Sequence, residues 1–125
     1  MYTHFVFNLY KGKHSLSSDE FKKFLNECFN EIANRNGFKI LALNILADHV
    51  HILIEHPFMP YSKIMKNIKG ASSRQFFLAF PSNRLVDRKL WGRSYHYKKV
   101  QKEGIPSIIK YIKEQTVSGY DKRYI

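Results

Sequence analysis

Apolar and polar positions alternate with two different periods along the chain, and the switches between them mark out its elements. Residues 2–10, YTHFVFNLY, are rich in aromatic and β-branched types and predict a strand. Phe21, Phe24, Leu25, Cys28, Phe29 and Ile32 then recur at helical spacing. Ser17 and Glu20 stand at the spacing of a capping box at the start of that helix, and Gly37 suits the left-handed residue that ends it. FKILALNIL (38–46) is apolar on both faces, which predicts a strand central in its sheet. Ala47-Asp48 makes a tight connection, and HVHILIEH (49–56) is the antiparallel hairpin partner. PFMPYS breaks the pattern and offers Ser62 as an N-cap.

A basic helix follows, with Ile64, Ile68, Phe76 and Phe80 on its apolar side and Gly70 as a point for a kink. A loop over 81–89 leads to a fourth strand, LWGRSYHYKKV (90–100). Pro106 fits a first helical turn, and SIIKYIKEQ (107–115) is the last helix. The tail, 116–125, has no clear period. The order β-α-β-β-α-β plus one helix predicts an α+β fold of the ferredoxin-like, RRM-like plan: an antiparallel sheet with two helices on one face. The other face stays bare unless the last helix or a second chain covers it. At 125 residues the chain reads as a single domain, 1–125, able to bury a core without staples.

Charge adds direction. Residues 1–55 hold six basic and six acidic side chains, whereas 56–102 hold eleven basic residues against Asp87 alone. A solvated surface usually interleaves both signs, so this concentration points to a polyanion, nucleic acid first and anionic membrane second. The single cysteine, Cys28, excludes a disulfide framework and suits a reducing, intracellular setting. The apolar run at the N-terminus alternates and meets Lys11 with no basic stretch ahead of it, so neither a signal peptide nor a membrane span is expected.

Alternation along 49–56 sends Val50, Ile52 and Ile54 to one face and His49, His51, Leu53 and Glu55 to the other. The two imidazoles lie about 6–7 Å apart at the backbone, close enough to share one small ion. Taken alone, such a pair on an open sheet face is more often plain polar surface. A structural zinc would need four closed ligands, with help from His56, His96 or an acid, whereas a catalytic divalent ion needs only three and keeps open positions. Tyr111 and Gln115 stand at i and i+4 in the last helix, beside the Ile108/Ile112 stripe. Each is common as helix surface, but with the histidines they form a set: a neutral oxygen for a metal and a phenol beside it. There is no glycine-rich phosphate loop, so no nucleotide cofactor is expected.

The DHVHILIEH strand, the IKGASSRQF helix, the LWGRSYHYKKV strand and the YIKEQ helix, in this order, resemble the small single-tyrosine transposases of bacterial and archaeal insertion sequences. These belong to the HUH endonuclease superfamily, and the resemblance runs from the first strand to Gln115. It implies that Tyr111 is the nucleophile and that His49, His51 and Gln115 hold Mg²⁺ or Mn²⁺. It implies a metal-dependent enzyme that cleaves and rejoins single-stranded DNA, with hairpins at element ends, through a 5′-phosphotyrosine. It further implies a homodimer in which one chain's tyrosine helix meets the other's histidines, and a cytoplasmic, nucleoid-associated protein. Lys63, Lys66, Lys69, Arg74, Arg93, Lys98 and Lys99 become candidates for phosphate contacts, and Tyr95, Tyr97 or Trp91 for base stacking, with a core role for Trp91 equally open. Tyr120 and Tyr124 lack a ligand-type residue at i+4 and are not expected to be nucleophiles.

Three rivals remain. A non-catalytic nucleic-acid-binding module would explain the charge, but strands 1 and 4 lack the aromatic-and-glycine signature of an RNA-recognition motif. A histidine-triad nucleotide hydrolase would want a third alternating histidine where Leu53 stands. A domesticated relative that nicks repeated hairpins would use the same residues as a transposase.

Overall fold

The computed structural model describes residues 1–10, 18–81 and 89–115. The Ser17 capping residue, most of the loop 81–89, and Tyr120 and Tyr124 lie outside them. The elements are β1 (Tyr2–Leu9), α1 (Asp19–Asn36), β2 (Lys39–Ile45), β3 (His49–Glu55), α2 (Tyr61–Ala79), β4 (Trp91–Val100) and α3 (Ile105–Lys113), with a 3-10 turn at Lys102–Gly104 before α3. The four strands form one antiparallel sheet in the order β2-β3-β1-β4. This is the α+β plan expected from the sequence.

Local chemistry explains most of the boundaries. Gly37 ends α1 at φ 72°, a left-handed conformation that a side chain would strain. The next amide, that of Phe38, bonds the Ala33 carbonyl at 2.9 Å, closing the helix end. The Leu46 amide meets the His49 carbonyl at 2.8 Å across the tight β2–β3 connection. Pro106 sits in the first turn of α3, where its missing N–H costs nothing.

Four details differ from the sequence reading. β2 is an edge strand and not a central one; it looks central because α1 covers one of its faces and α3 the other. Pro60, and not Ser62, is the N-cap of α2, so Ser62 falls inside the first turn. α2 runs unbroken through Gly70. α3 starts two residues earlier and ends two residues earlier than 107–115, so Gln115 lies just past it.

Each face of the sheet has its own core. Phe5, Phe7 and Leu9 of β1 and Val50, Ile52 and Ile54 of β3 pack under α1 and α2 with Leu25, Phe29, Ile32, Ile64, Ile68 and Phe76. On the opposite face, Ile112 of α3 is fully buried against Ala42, Leu53 and Val100. α3 thus supplies the cover that face needed. Emptying a position such as Ile112 would cost about 2–5 kcal/mol, enough to loosen the helix. Among the described residues no helix is long and apolar enough to cross a membrane.

Candidate active site

The strand alternation that buries Val50, Ile52 and Ile54 under α1 and α2 turns His49 and His51 to the α3 face. Their ring centroids are 5.0 Å apart. His51 is completely buried, and the His49 side chain is 12% exposed. Each ring is tied at Nδ1. His49 Nδ1 meets the Asp48 carboxylate at 2.7 Å, and His51 Nδ1 meets His4 Nε2 at 3.1 Å. The nitrogen each ring would present to a metal is therefore Nε2. Asp48, which the sequence reading used only as a turn residue, fixes one of the two rings.

His4 is a site residue that the sequence reading missed. It lies on β1, completely buried, two residues from Val6, the cross-strand partner of His51. Its ring centroid is 5.3 Å from that of His51, with the planes 28° apart. The available signal was the β1 alternation: Phe5, Phe7 and Leu9 face α1 and α2, so His4 and Val6 must face α3.

α3 brings Tyr111 onto these rings. The phenol ring sits edge-on to His4 and to His51, each at 6.0 Å between centroids. The histidines and the tyrosine that meet here belong to the same chain. Gln115 follows the helix and folds back, its side-chain Nε2 donating to the Tyr111 carbonyl at 3.2 Å. Asn44, the direct cross-strand partner of His51, donates from Nδ2 to the carbonyls of Ile112 at 2.8 Å and Gln115 at 3.2 Å. The strand next to His51 thereby grips the chain that carries Tyr111 and Gln115.

Among the described residues no three His, Cys, Asp or Glu side chains are placed to hold a metal together. His56 is far from forming such a set: it is bound by Thr3 Oγ1 at 2.8 Å and the Pro57 carbonyl at 2.7 Å. If His49 and His51 hold a metal, no further His, Cys, Asp or Glu among the described residues joins them, and the Gln115 amide, folded back on the Tyr111 carbonyl, is the neutral-oxygen candidate at that end of α3. Two imidazoles and an amide oxygen suit a divalent ion that keeps open positions.

The basic candidates separate into groups. Lys63, Lys66 and Arg74 are exposed on α2, and Arg93, Lys98 and Lys99 are exposed on β4. Lys66, Lys69, Arg93 and Tyr95 line one hollow between α2 and β4. Lys98 instead pairs with His4 across the sheet and lines a groove with His4 and Ser107 on the α3 side. Lys69 is drawn inward. Its ammonium donates to the carbonyls of Gly92 at 2.7 Å and Ser94 at 3.3 Å and lies 5.8 Å from the Tyr95 ring centroid. Burial lowers its pKa from the usual lysine range. Trp91 belongs to the core: it is buried against Phe7 and Phe29, and its indole N–H donates to Ser72 Oγ at 2.8 Å. Tyr97 is half exposed and Tyr95 partly buried, so these two β4 tyrosines present ring surface to a partner, beside the exposed His96.

Comparison with known proteins gives a consistent answer. The family model described as "Transposase IS200 like" matches residues 1–115. The ISDra2 transposase TnpA of Deinococcus radiodurans is 32% identical over 108 residues, covering 84% of this chain and 77% of that protein. A solved structure assigned as a transposase from D. radiodurans R1 superposes with a TM-score of 0.74 at 29% identity, covering 94% of this chain and 92% of the other. A REP-associated tyrosine transposase bound to a REP hairpin gives a TM-score of 0.64 at 19% identity, over 89% of this chain and 63% of that one. This last likeness is one of fold.

Proposed function

The chain belongs to the IS200-like transposase family, and on that premise we propose that it cleaves and rejoins single-stranded DNA at insertion-sequence ends, with Tyr111 as the nucleophile. The observation that carries this reading is the placement of the Tyr111 ring edge-on to His51 and His4, on the same sheet face as His49.

In the cleavage step the Tyr111 oxygen attacks the scissile phosphorus and forms a P–O bond. The bond from phosphorus to the 3′ oxygen breaks, and that oxygen leaves with a proton as a 3′-hydroxyl. The 5′ phosphate stays on the tyrosine as a diester, so a second 3′-hydroxyl can reverse the chemistry and join strands without a nucleotide cofactor. A free phenol has a pKa of about 10, so the site must favour loss of its proton as the bond forms. His49, His51 and the Gln115 amide oxygen are the residues that would hold Mg²⁺ or Mn²⁺, which when bound would polarise the phosphate and offset the charge on the departing oxygen. The protein's own part is orientation: Asp48 and His4 fix the rings, and Asn44 fixes the helix end that carries the nucleophile.

The exposed basic residues of α2 and β4, with Tyr95 and Tyr97, would hold the strand by phosphate contact and stacking. Hairpins at element ends are the substrate the family resemblance implies, and a homodimer is its expected assembly, which light scattering would test.

The deciding experiment incubates the protein with labelled single-stranded hairpin DNA and Mg²⁺, then runs a denaturing gel. A covalent protein–DNA band is expected, absent in Tyr111→Phe and absent after chelation. An adduct that persists in Tyr111→Phe would remove Tyr111 from its role. Tight binding without any adduct would favour a binding module.

A further inference from the structure

We propose that His4 is a positioning residue of the active site, which sets the tautomer and direction of the His51 ring so that its Nε2 lone pair meets a metal ion. This rests on the reading of His49 and His51 as metal ligands. The motif that suggests those ligands says nothing of β1, and His4 stands 47 residues away from His51.

The chemistry follows from the contact itself. The hydrogen bond joins two imidazole nitrogens, His4 Nε2 and His51 Nδ1, at 3.1 Å. One proton lies between two neutral rings, and it belongs to one of them. If it sits on His4, His51 accepts at Nδ1 and carries its own proton on Nε2, where it would repel a cation. If it sits on His51 Nδ1, His4 accepts, and His51 Nε2 keeps the lone pair that a metal needs. His4 then carries its own proton on Nδ1.

For His49 the same task falls to Asp48. An ionised carboxylate only accepts, so the proton on His49 Nδ1 is assigned outright by the 2.7 Å contact. The two ligand rings are thus fixed by two different acceptors, one anionic and partly exposed, one neutral and completely buried. A neutral acceptor in the dry interior avoids burying a carboxylate beneath α3, which would cost several kcal/mol unless paired. His4 also borders Tyr111, its ring centroid 6.0 Å away, so the same side chain braces the nucleophile's helix.

The test uses the intact chain with Mn²⁺ alone, in three variants. His4→Phe keeps a ring and removes the acceptor. His4→Gln offers an amide oxygen near the place of Nε2, and His4→Asn offers one near Nδ1. Mn²⁺ affinity is read by calorimetry, and the His51 tautomer by long-range ¹H–¹⁵N NMR without metal. The expectation is an Nδ1–H tautomer at His51 in the wild type, and Mn²⁺ binding weakened about 10–100-fold in His4→Phe and His4→Asn. His4→Gln should retain most of the affinity. Melting curves establish that the compared variants are folded; if His4→Phe is not, the Gln and Asn pair carries the test.

Equal Mn²⁺ affinities for the Gln and Asn variants, or a His51 tautomer unchanged in His4→Phe, would overturn the inference. Wild-type protein that fails to bind Mn²⁺ would instead overturn the metal reading of His49 and His51, and the tautomer spectra would still decide whether His4 governs His51.

Discussion

Asn44 holds the end of the tyrosine helix from the strand beside His51: one side-chain amide serves the carbonyls of Ile112 and Gln115 at 2.8 and 3.2 Å. The last carbonyls of a helix lack partners within it, and here the sheet provides one. Asn44→Ala should cost about 1–2 kcal/mol of stability. Adduct formation in single turnover should fall by more than that loss implies, because Tyr111 would no longer be held over the histidines. Asn44→Asp should be worse on both counts, since a carboxylate has no proton for either carbonyl. Denaturant unfolding and gel-based adduct rates measure the two effects; an Asp variant that matches wild type would contradict the role.

Trp91 tests the boundary between core and interface. Its ring is wedged between Phe7 and Phe29 at 4.9 and 6.0 Å, and its N–H reaches Ser72. Trp91→Ala is expected to cost about 3–5 kcal/mol, and Ser72→Ala about 1–3 kcal/mol by leaving a buried donor unmet. DNA affinity per folded molecule should be unchanged in Ser72→Ala and in Trp91→Phe, whereas Tyr97→Ala should weaken binding with little loss of stability. Fluorescence-monitored unfolding and anisotropy with a labelled single strand separate these outcomes.

The parts of the fold that were legible in the sequence were those that a local period encodes. The changes of period mark where each described strand and helix lies along the chain, to within a few residues, and the alternation through His49 and His51 puts both on the α3 face. Alternation reports which faces of a strand are covered but not which strands lie beside it. β2 therefore looks central in the sequence although it is an edge strand, since Ala42 meets α3 on one face while α1 covers the other. The end of α3 is not encoded in sequence spacing, because the i, i+4 relation of Tyr111 and Gln115 says nothing of hydrogen bonding. The Glu114 amide reaches both Lys110 and Tyr111 carbonyls, at 3.1 and 3.3 Å, and the helix tightens and stops. The β1 alternation tells which face His4 takes, but its meeting with His51, like that of Asn44 with the end of α3, is reached only through strand register.

His56 should make stability fall on mild acidification. It is buried, and burial holds its pKa below the usual 6.5, opposed by the Pro57 carbonyl and aided by repulsion from the Met1 α-ammonium. The ring donates from Nδ1 to Pro57, so Nε2 accepts from the Thr3 hydroxyl, an arrangement that suits the neutral form. Because the folded pKa lies below the unfolded one, the unfolded chain takes up the proton first. Stability is therefore present above the unfolded value and declines as pH falls from near 6.5 toward the folded pKa, levelling off below it. Melting temperatures measured between pH 7.5 and 5 should drop in the wild type and drop less in His56→Gln. Parallel curves would assign the acid sensitivity elsewhere.

Lys69 and Lys66 sit one turn apart on α2 and border the same hollow, yet they should answer differently to substitution. Lys66 is exposed, and so is Arg93 across the hollow. Among the described residues neither side chain is held by a hydrogen bond or ion pair, so each can meet a phosphate. Lys69 already spends its donors on the Gly92 and Ser94 carbonyls at the start of β4. The salt dependence of binding counts the phosphates neutralised, with a slope near 0.7 per contact on single strands. Lys66→Ala and Arg93→Ala should each lower that slope by about one contact and leave the melting temperature nearly unchanged. Lys69→Ala should lower the melting temperature, by an amount equivalent to about 1–3 kcal/mol, and leave the slope as it was. Affinity for an unstructured oligonucleotide across a series of salt concentrations reads both; a loss of slope in Lys69→Ala alone would place the strand on the inner lysine instead.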